Sequence, residues 1–370
     1  MMKKIFLCVA IFTLCLEAKE LNIGVIMPLT GQTAAYGQSA YEGIKIANAM
    51  RGTLSNGDKI KIIALDNKGD KIESGTAATR LIAQDKVLGI IGEMVTANTA
   101  QIMSVSESKK VPLITPAATA DKLLNGKHYS ARVCFKDSFQ GSSLAGYAYD
   151  KLGYKNAVII IDQGTDYSLG LARAFETKFT QKGGKILAKL KISSKERDYK
   201  AIIAQIKSLN ADFIYAPVYY NEASLFVRQA RSAGLSVPMG SADGTADETF
   251  IKLAGEASEG YIFTDSFDYA NPPTKLSRDF ITQYSKSKNS KEVPNFTAMG
   301  ADAYFVMFEA MNKCVNSLTS ECINNAIHST QSFEGVSGVI SIDKSGNATR
   351  SLVLKEIKGG KQRYKDLINP

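Results

Sequence analysis

The chain is poor in the residue types from which most catalytic and metal centres are built. It has two histidines in 370 residues, His128 and His328, and they lie far apart in sequence. No C-x-x-C pair occurs, so a metal site of the usual cysteine and histidine spacing is not expected. No G-x-G-x-x-G follows the first apolar run, which leads instead into Met27-Pro28-Leu29-Thr30-Gly31. Neither a G-x-S-x-G elbow nor a P-loop is present. Without a nucleophile–base pair, a metal set or a cofactor fingerprint, the chain reads as a non-enzyme that needs no cofactor.

Two further absences concern partners. The formal charge is +9, yet the lysines are scattered and form no block of five or six. Basic and aromatic residues do not interleave, so the excess charge describes a solvated surface and no nucleic-acid partner is expected. After residue 16 no apolar run approaches the length of a membrane span.

The one long apolar run is at the start. Met1-Met2-Lys3-Lys4 is a short positive segment, and Ile5 to Leu16 is an apolar stretch of twelve residues. It is too short for a membrane span and is followed by a small residue, Ala18. This pattern is that of a secretory signal peptide over residues 1–18, cleaved near Ala18. Leu14 is bulky where a lipoprotein signal wants a small residue before Cys15, so lipid attachment is not expected.

Of five cysteines, Cys8 and Cys15 leave with the leader. Cys314 and Cys322 flank a short loop, and in an oxidising compartment they are expected to form a local disulfide. Cys134, in the strand-like run Ala131 to Phe135, is expected to be a buried thiol.

Strands and helices alternate through most of the chain. Leu21–Met27, Lys59–Asp66, Gly89–Ile91 and Pro112–Ile114 read as strands, separated by helices near 38–50, 74–85 and 97–108. A second series follows: helix 139–152, the wholly apolar strand Ala157–Ile161, and helix 168–182. It continues with strand 185–191, helix 199–208, strand 212–216, helix 221–233 and strand Val237–Met239. Two βα series of similar size predict an α/β fold of two doubly wound parallel-sheet lobes, since a barrel would need one closed set of eight strands. After Gly260–Thr264 come helices near 274–287 and 296–313 and late strands at 336–342 and 351–357. Crossovers near residues 137, 265 and 350 predict a multi-strand hinge. The first lobe is then 19–137 plus 266–350, and the second 138–265 plus 351–370.

In open parallel sheets, ligands bind beyond the carboxyl ends of the strands. The residues there include Tyr36, Thr96, Ala117, Thr119, Tyr167, Tyr219 and Asp243. The two hydroxyl-bearing turns, Thr96-Ala97-Asn98-Thr99 and Thr115-Pro116-Ala117-Ala118-Thr119, each follow an apolar run and are expected to open helices. Hydroxyls and backbone N–H groups at such ends suit a small carboxylate. Ala117 offers a carbonyl to an ammonium group, and Asp243, in the turn with Gly244, offers a charge-assisted acceptor. Taken singly, each residue has a duller role: a threonine caps a helix, and Asp243-Gly244 makes a turn. Together they suit a zwitterionic α-amino acid.

At this point the chain resembles the periplasmic leucine/isoleucine/valine-binding proteins of ABC transporters, within the type I solute-binding family. The resemblance runs through almost the whole chain beyond the leader. It is carried by Pro28-Leu29-Thr30-Gly31 through Tyr36-Gly37, and by Ile114-Thr115-Pro116-Ala117-Ala118-Thr119-Ala120. Tyr167 to Ala174, Val227 to Leu235, and Ala254 to Gly260 add to it. The resemblance implies that Thr96 and Thr119 hold the α-carboxylate and that Ala117 accepts from the α-amine. It also implies that Tyr36, Tyr167 and Tyr219 close over the ligand, and that Asp243 stands where the family places an acidic partner, often Glu. Met94 and Val95, with Phe296, would lie near the ligand side chain, and Ala118 and Gly244 belong to the same turns.

One departure is plain: residues 66–70 lack cysteine and Val95 takes the other place, so a first-lobe disulfide of the family's best-known members must be absent. The implied role is capture of branched-chain amino acids by lobe closure. The protein would be a periplasmic monomer delivering its ligand to an inner-membrane permease. The alternatives are another small amino acid, an amide, or presentation of the ligand to a chemoreceptor.

Overall fold

The computed structural model describes residues 18–370, so the signal peptide expected over residues 1–18 lies, but for Ala18, outside the described residues. In chain order the first group of elements is β1 (Glu20–Met27), α1 (Ala34–Met50), β2 (Lys59–Asp66) and α2 (Lys71–Ala83). It continues with β3 (Gly89–Gly92), α3 (Thr96–Lys109), β4 (Leu113–Thr115) and β5 (Ser130–Arg132). The second group is α4 (Asp137–Asp150), β6 (Asn156–Asp162), α5 (Asp166–Gln181), β7 (Lys185–Ile192) and α6 (Lys200–Lys207). To it also belong β8 (Phe213–Tyr215), α7 (Tyr220–Ser232), β9 (Met239–Ser241), α8 (Glu248–Ala254) and β10 (Ile262–Asp265). The last group is α9 (Lys275–Lys288), α10 (Asn295–Lys313), α11 (Ser320–His328), β11 (Phe333–Glu334), β12 (Val339–Ile342), β13 (Ala348–Thr349), β14 (Leu352–Lys358) and β15 (Lys361–Ile368).

Two main sheets result. The first has the order β2-β1-β3-β4-β5, all parallel. The second has the order β15-β14-β10-β9-β8-β6-β7, parallel from β7 to β10. Its far edge is antiparallel, β10 to β14 and β14 to β15. The inner strands are apolar because helices cover both faces: β6, Asn156-Ala-Val-Ile-Ile-Ile-Asp162, is buried from Ala157 onward. By contrast β15 is mostly exposed and carries Lys361, Arg363, Lys365 and Asp366, the charged character that protects a sheet edge from pairing with another chain.

Side-chain caps set several helix starts. Asp70 accepts from the N–H groups of Ile72 and Glu73 and starts α2, while Thr274 and Ser277 form a reciprocal capping box at α9. Helix α10 is buried along nearly its whole length and packs on α1 from the far end of the sequence. Gly300 permits that approach, since a Cβ there would lie 2.1 Å from the Ala40 carbonyl oxygen.

The chain passes between the two sheets after β5, after β10 and between β13 and β14. One buried side chain joins all three passages. Arg350 donates to the carbonyls of Val133 (3.3 Å), Ser266 (2.7 Å) and Ser337 (3.0 Å). Cys314 and Cys322 are disulfide-bonded, and Cys134 is a buried free thiol that burial pushes up to about 12. No helix among the described residues is long and apolar enough to cross a membrane.

Some local expectations are corrected. The strand expected at Val237–Met239 is Met239–Ser241. Pro238 has no N–H to give a ladder, although its carbonyl accepts from Ile214. The turn after β4 opens no helix; residues 121–126 form turns instead, and Arg132 holds this segment by donating to the carbonyls of Ala118 and Ala120.

Candidate functional site

The carboxyl ends of the two parallel sheets face each other across one enclosed pocket. Its walls close on one another, leaving a cavity of only about 10 Å³, and it is lined by Tyr36, Met94, Thr96, Ala117, Tyr167, Tyr219, Asp243, Gly244 and Phe296. Each lining residue follows a strand or opens a helix. Tyr36 lies in the first turn of α1, Met94 and Thr96 follow β3, and Ala117 follows β4. Tyr167 opens α5 after β6, Tyr219 precedes α7 after β8, Asp243 follows β9, and Phe296 opens α10.

Three residues singled out in the sequence are not among those lining it. Val95 is the N-cap of α3: its N–H donates to Glu93 Oε2 and its carbonyl accepts from Thr99. Thr96 is therefore the first helical residue rather than the cap, and its hydroxyl makes no capping bond. Ala118 is occupied on both sides, its N–H by the Thr115 hydroxyl and its carbonyl by Arg132. Thr119 is fully buried behind Ala117 in the chain.

The hydroxyls of Thr96 and Thr119 are buried and lack a partner of hydrogen-bonding geometry. Leaving a buried hydroxyl unpaired costs about 1–3 kcal/mol, and of the two only Thr96 lines the pocket, so its hydroxyl is free to bond a polar atom placed there. The Thr119 hydroxyl lies instead beside the Asp137 carboxyl, whose charged form it favours by hydrogen bonding.

On the opposite wall, Asp243 Oδ1 accepts from Tyr167 Oη at 2.9 Å and from Gln140 Nε2 at 3.1 Å. Burial pushes the Asp243 carboxyl up to about 6, with the bonds from Gln140 and Tyr167 pulling the other way. Tyr167 Oη accepts in turn from the Gly244 N–H at 2.8 Å. A Cβ at position 244 would sit 2.7 Å from that phenol oxygen, so only glycine allows this bond. Tyr167 and Tyr219 stack with ring centroids 4.9 Å apart, and Tyr36 meets Phe296 edge-on at 4.9 Å.

The pocket is shut by bonds from one lobe to the other. The Tyr36 hydroxyl donates to the Gly244 carbonyl and accepts from the Tyr220 N–H at 3.2 Å. The Tyr220 hydroxyl and the Asn221 amide both donate to the Gln32 carbonyl, the latter at 2.7 Å.

Of these latch residues, sequence reasoning singled out Tyr36 and Gly244 and passed over Gln32, Tyr220 and Asn221. It also passed over Glu93, whose buried carboxyl accepts from Asn67 and Asn98 and braces the turn before Thr96. Asp137 and Gln140 were missed as well. Their signal was present: the buried face of α4 is Asp137, Gln140, Gly141, Leu144, Ala145 and Ala148. Two polar residues there begin an apolar helical stripe, where they must be buried.

A model of the periplasmic binding protein family matches residues 20–362. The chain belongs to that family. This periplasmic binding protein is 29% identical over 272 residues to the Leu/Ile/Val-binding protein of Escherichia coli K12, covering 72% of this chain and 73% of the relative. A leucine-binding protein of Thermotoga maritima superposes on it with a TM-score of 0.91 at 36% identity, covering 95% of this chain and 99% of that one. A branched-chain amino acid transporter substrate-binding protein of Streptococcus pneumoniae, solved with isoleucine, superposes with a TM-score of 0.89 at 29% identity. It covers 95% of this chain and 100% of its own. The architecture is the type I fold of periplasmic binding proteins, two α/β lobes about a three-stranded crossover.

Proposed function

We propose that this protein captures branched-chain amino acids (leucine, isoleucine and valine) between its lobes and hands them to an inner-membrane ABC permease. The observation that carries the reading is the pocket's polarity. The unpaired Thr96 hydroxyl and the Ala117 turn stand at one side, the Asp243 carboxyl at the other, and Met94, Tyr36 and Phe296 line an apolar wall between them. A zwitterion with an aliphatic side chain satisfies all three, and the relatives named for Leu, Ile and Val support that choice. Thr96, Thr119 and the Ala117 carbonyl would orient the carboxylate and amine. Tyr36, Tyr167 and Tyr219 would close around them.

In this reading residues 19–137 and 266–350 form one lobe, and 138–265 with 351–370 the other. They rotate about the crossovers that Arg350 joins, and closure buries the ligand. The reading includes no chemical step, and it places the chain in the periplasm as a monomer. Calorimetric titration of the mature protein, refolded free of ligand, tests it. Leucine, isoleucine and valine should each bind one-to-one and a polar amino acid weakly. No binding by any of the three would redirect the pocket to an amide or an aromatic acid.

A further inference from the structure

Behind Asp243 stands a second carboxyl with no role in the reading above. Asp137, at the first position of α4, is fully buried, with the Thr119 hydroxyl beside its carboxyl. Gln140 Nε2 sits between the two acids, 3.0 Å from Asp137 Oδ1 and 3.1 Å from Asp243 Oδ1. The carboxyls therefore lie within about 6 Å of each other, close enough for one negative charge to oppose the other.

Among the described residues neither acid has a salt bridge of the kind that Lys355 makes to Asp265. The charges acting on Asp137 are those of Asp243 and Asp121, and Asp265 acts on Asp243. Asp265 is itself matched by Lys355 Nζ at 2.7 Å. Arg132 and Arg350, nearby at the end of β5 and at the hinge, spend their N–H groups mainly on backbone carbonyls. The phenols facing the pair, Tyr167, Tyr215 and Tyr219, are held protonated by burial. Cys134 is likewise held as a thiol. Two buried carboxylates this close and without a salt-bridge partner are strongly disfavoured, and Asp243 borders a pocket where the Thr96 hydroxyl is also unpaired.

We infer that Asp137 and Asp243 hold one proton between them when the pocket is empty, and that a ligand ammonium group displaces it. Asp137 is a positioning residue, acting on the ligand through Asp243 and Gln140. In the displacement one carboxyl O–H bond breaks and the proton leaves to solvent. The ammonium keeps its three N–H bonds and donates into the doubly ionised pair. The ligand class is thus narrowed to solutes with a cationic amine, excluding hydroxy acids and aromatic acids of the same size. The inference rests on the ligand-binding pocket proposed above.

The test is titration of the mature protein with leucine in buffers of different ionisation enthalpy, between about pH 5 and about pH 8. Proton release should approach one per leucine where the empty pair is protonated. The association constant there should rise up to about tenfold per pH unit. Asp137→Asn should abolish the release near neutral pH and leave it only at the acid end of the range, where Asp243 by itself is protonated, and Asp137→Glu, which restores a carboxyl, should retain the release near neutral pH. Leucine binding with no release at any pH overturns the shared proton and leaves the branched-chain reading intact. Infrared spectra of the ligand-free protein decide independently of any ligand, provided the band is assigned, because buried Glu222 also holds a proton near neutral pH. A protonated-carboxyl band near neutral pH that is lost in Asp137→Asn or in Asp243→Asn supports the pair, even if leucine fails to bind and the branched-chain reading falls; no such band, or one unchanged in both variants, overturns the pair.

Discussion

Arg350 Nη2 donates to the Ser266 carbonyl at 2.7 Å, tying the third passage between the lobes to the second. The same guanidinium reaches Val133 on the first passage and lies close enough to buried Asp302 for each charge to favour the other. Replacing it with methionine would leave Asp302 without its cation. Arg350→Met should destabilise the protein by about 3–5 kcal/mol, the usual cost of breaking a buried charge pair from one side. Urea unfolding monitored by circular dichroism measures this; a loss under about 1 kcal/mol would remove Arg350 from its structural role.

Tyr36 spends its hydroxyl across the cleft, on the Gly244 carbonyl and the Tyr220 N–H. Tyr36→Phe keeps the ring against Phe296 but deletes both bonds. Ligand affinity should fall by about 1–3 kcal/mol, and small-angle scattering should show a more open ligand-bound population. Unchanged affinity and unchanged radius would mean that Tyr220 and Asn221 hold the lobes by themselves.

Asp243→Ala removes the carboxyl that would face the ligand amine. Binding of leucine should weaken by about 2–5 kcal/mol, because the ammonium would enter a buried site without its partner. Calorimetry reads this directly, and wild-type affinity in the variant would move the amine site elsewhere.

Glu222 on α7 is buried, and desolvation pushes its carboxyl up to about 7, with Asp162 adding to the rise. A raised folded value means that the folded state holds this proton more tightly than the unfolded chain does. Its stabilising contribution is complete below the unfolded value and is lost as pH rises towards about 7. Glu222→Gln should therefore be more stable than wild type near pH 8 and should lose that advantage near pH 4, by thermal melts at the two pH values. A constant difference at both would show that ionisation is not the cause.

Much of this architecture was legible from periodicity. Ala157 to Ile161 could only be a strand covered on both sides, and the alternation of strands and helices carried the two-lobed arrangement. Where it misled, a specific group intervened. Pro238 displaced a strand by two residues, and the charged edge strand β15 carried no apolar run to announce it. At the pocket, residues next to strand ends were visible because their position follows from the fold class. Asp137 and Gln140 were overlooked, because a helix start rich in polar residues looks solvated unless the apolar stripe that continues from it is followed back. Thr119 shows the opposite limit. Its place in a recognisable turn was clear, but a backbone turn does not say which of three successive side chains meets the cavity.

The pairing of α1 with α10 sets the order in which this protein can be made. The inner face of α1, with Ala40, Ile44 and Ala47, is covered by a helix that begins at Asn295. A nascent chain that has produced its first sheet still carries an open apolar seam, which nothing before the last quarter of the sequence can fill. The first lobe is thus begun first and completed late, after the strands of the second have been laid down to β10. Any fragment that stops at the second passage should be sticky rather than half-folded. The finished cleft exists only once the whole chain has been delivered.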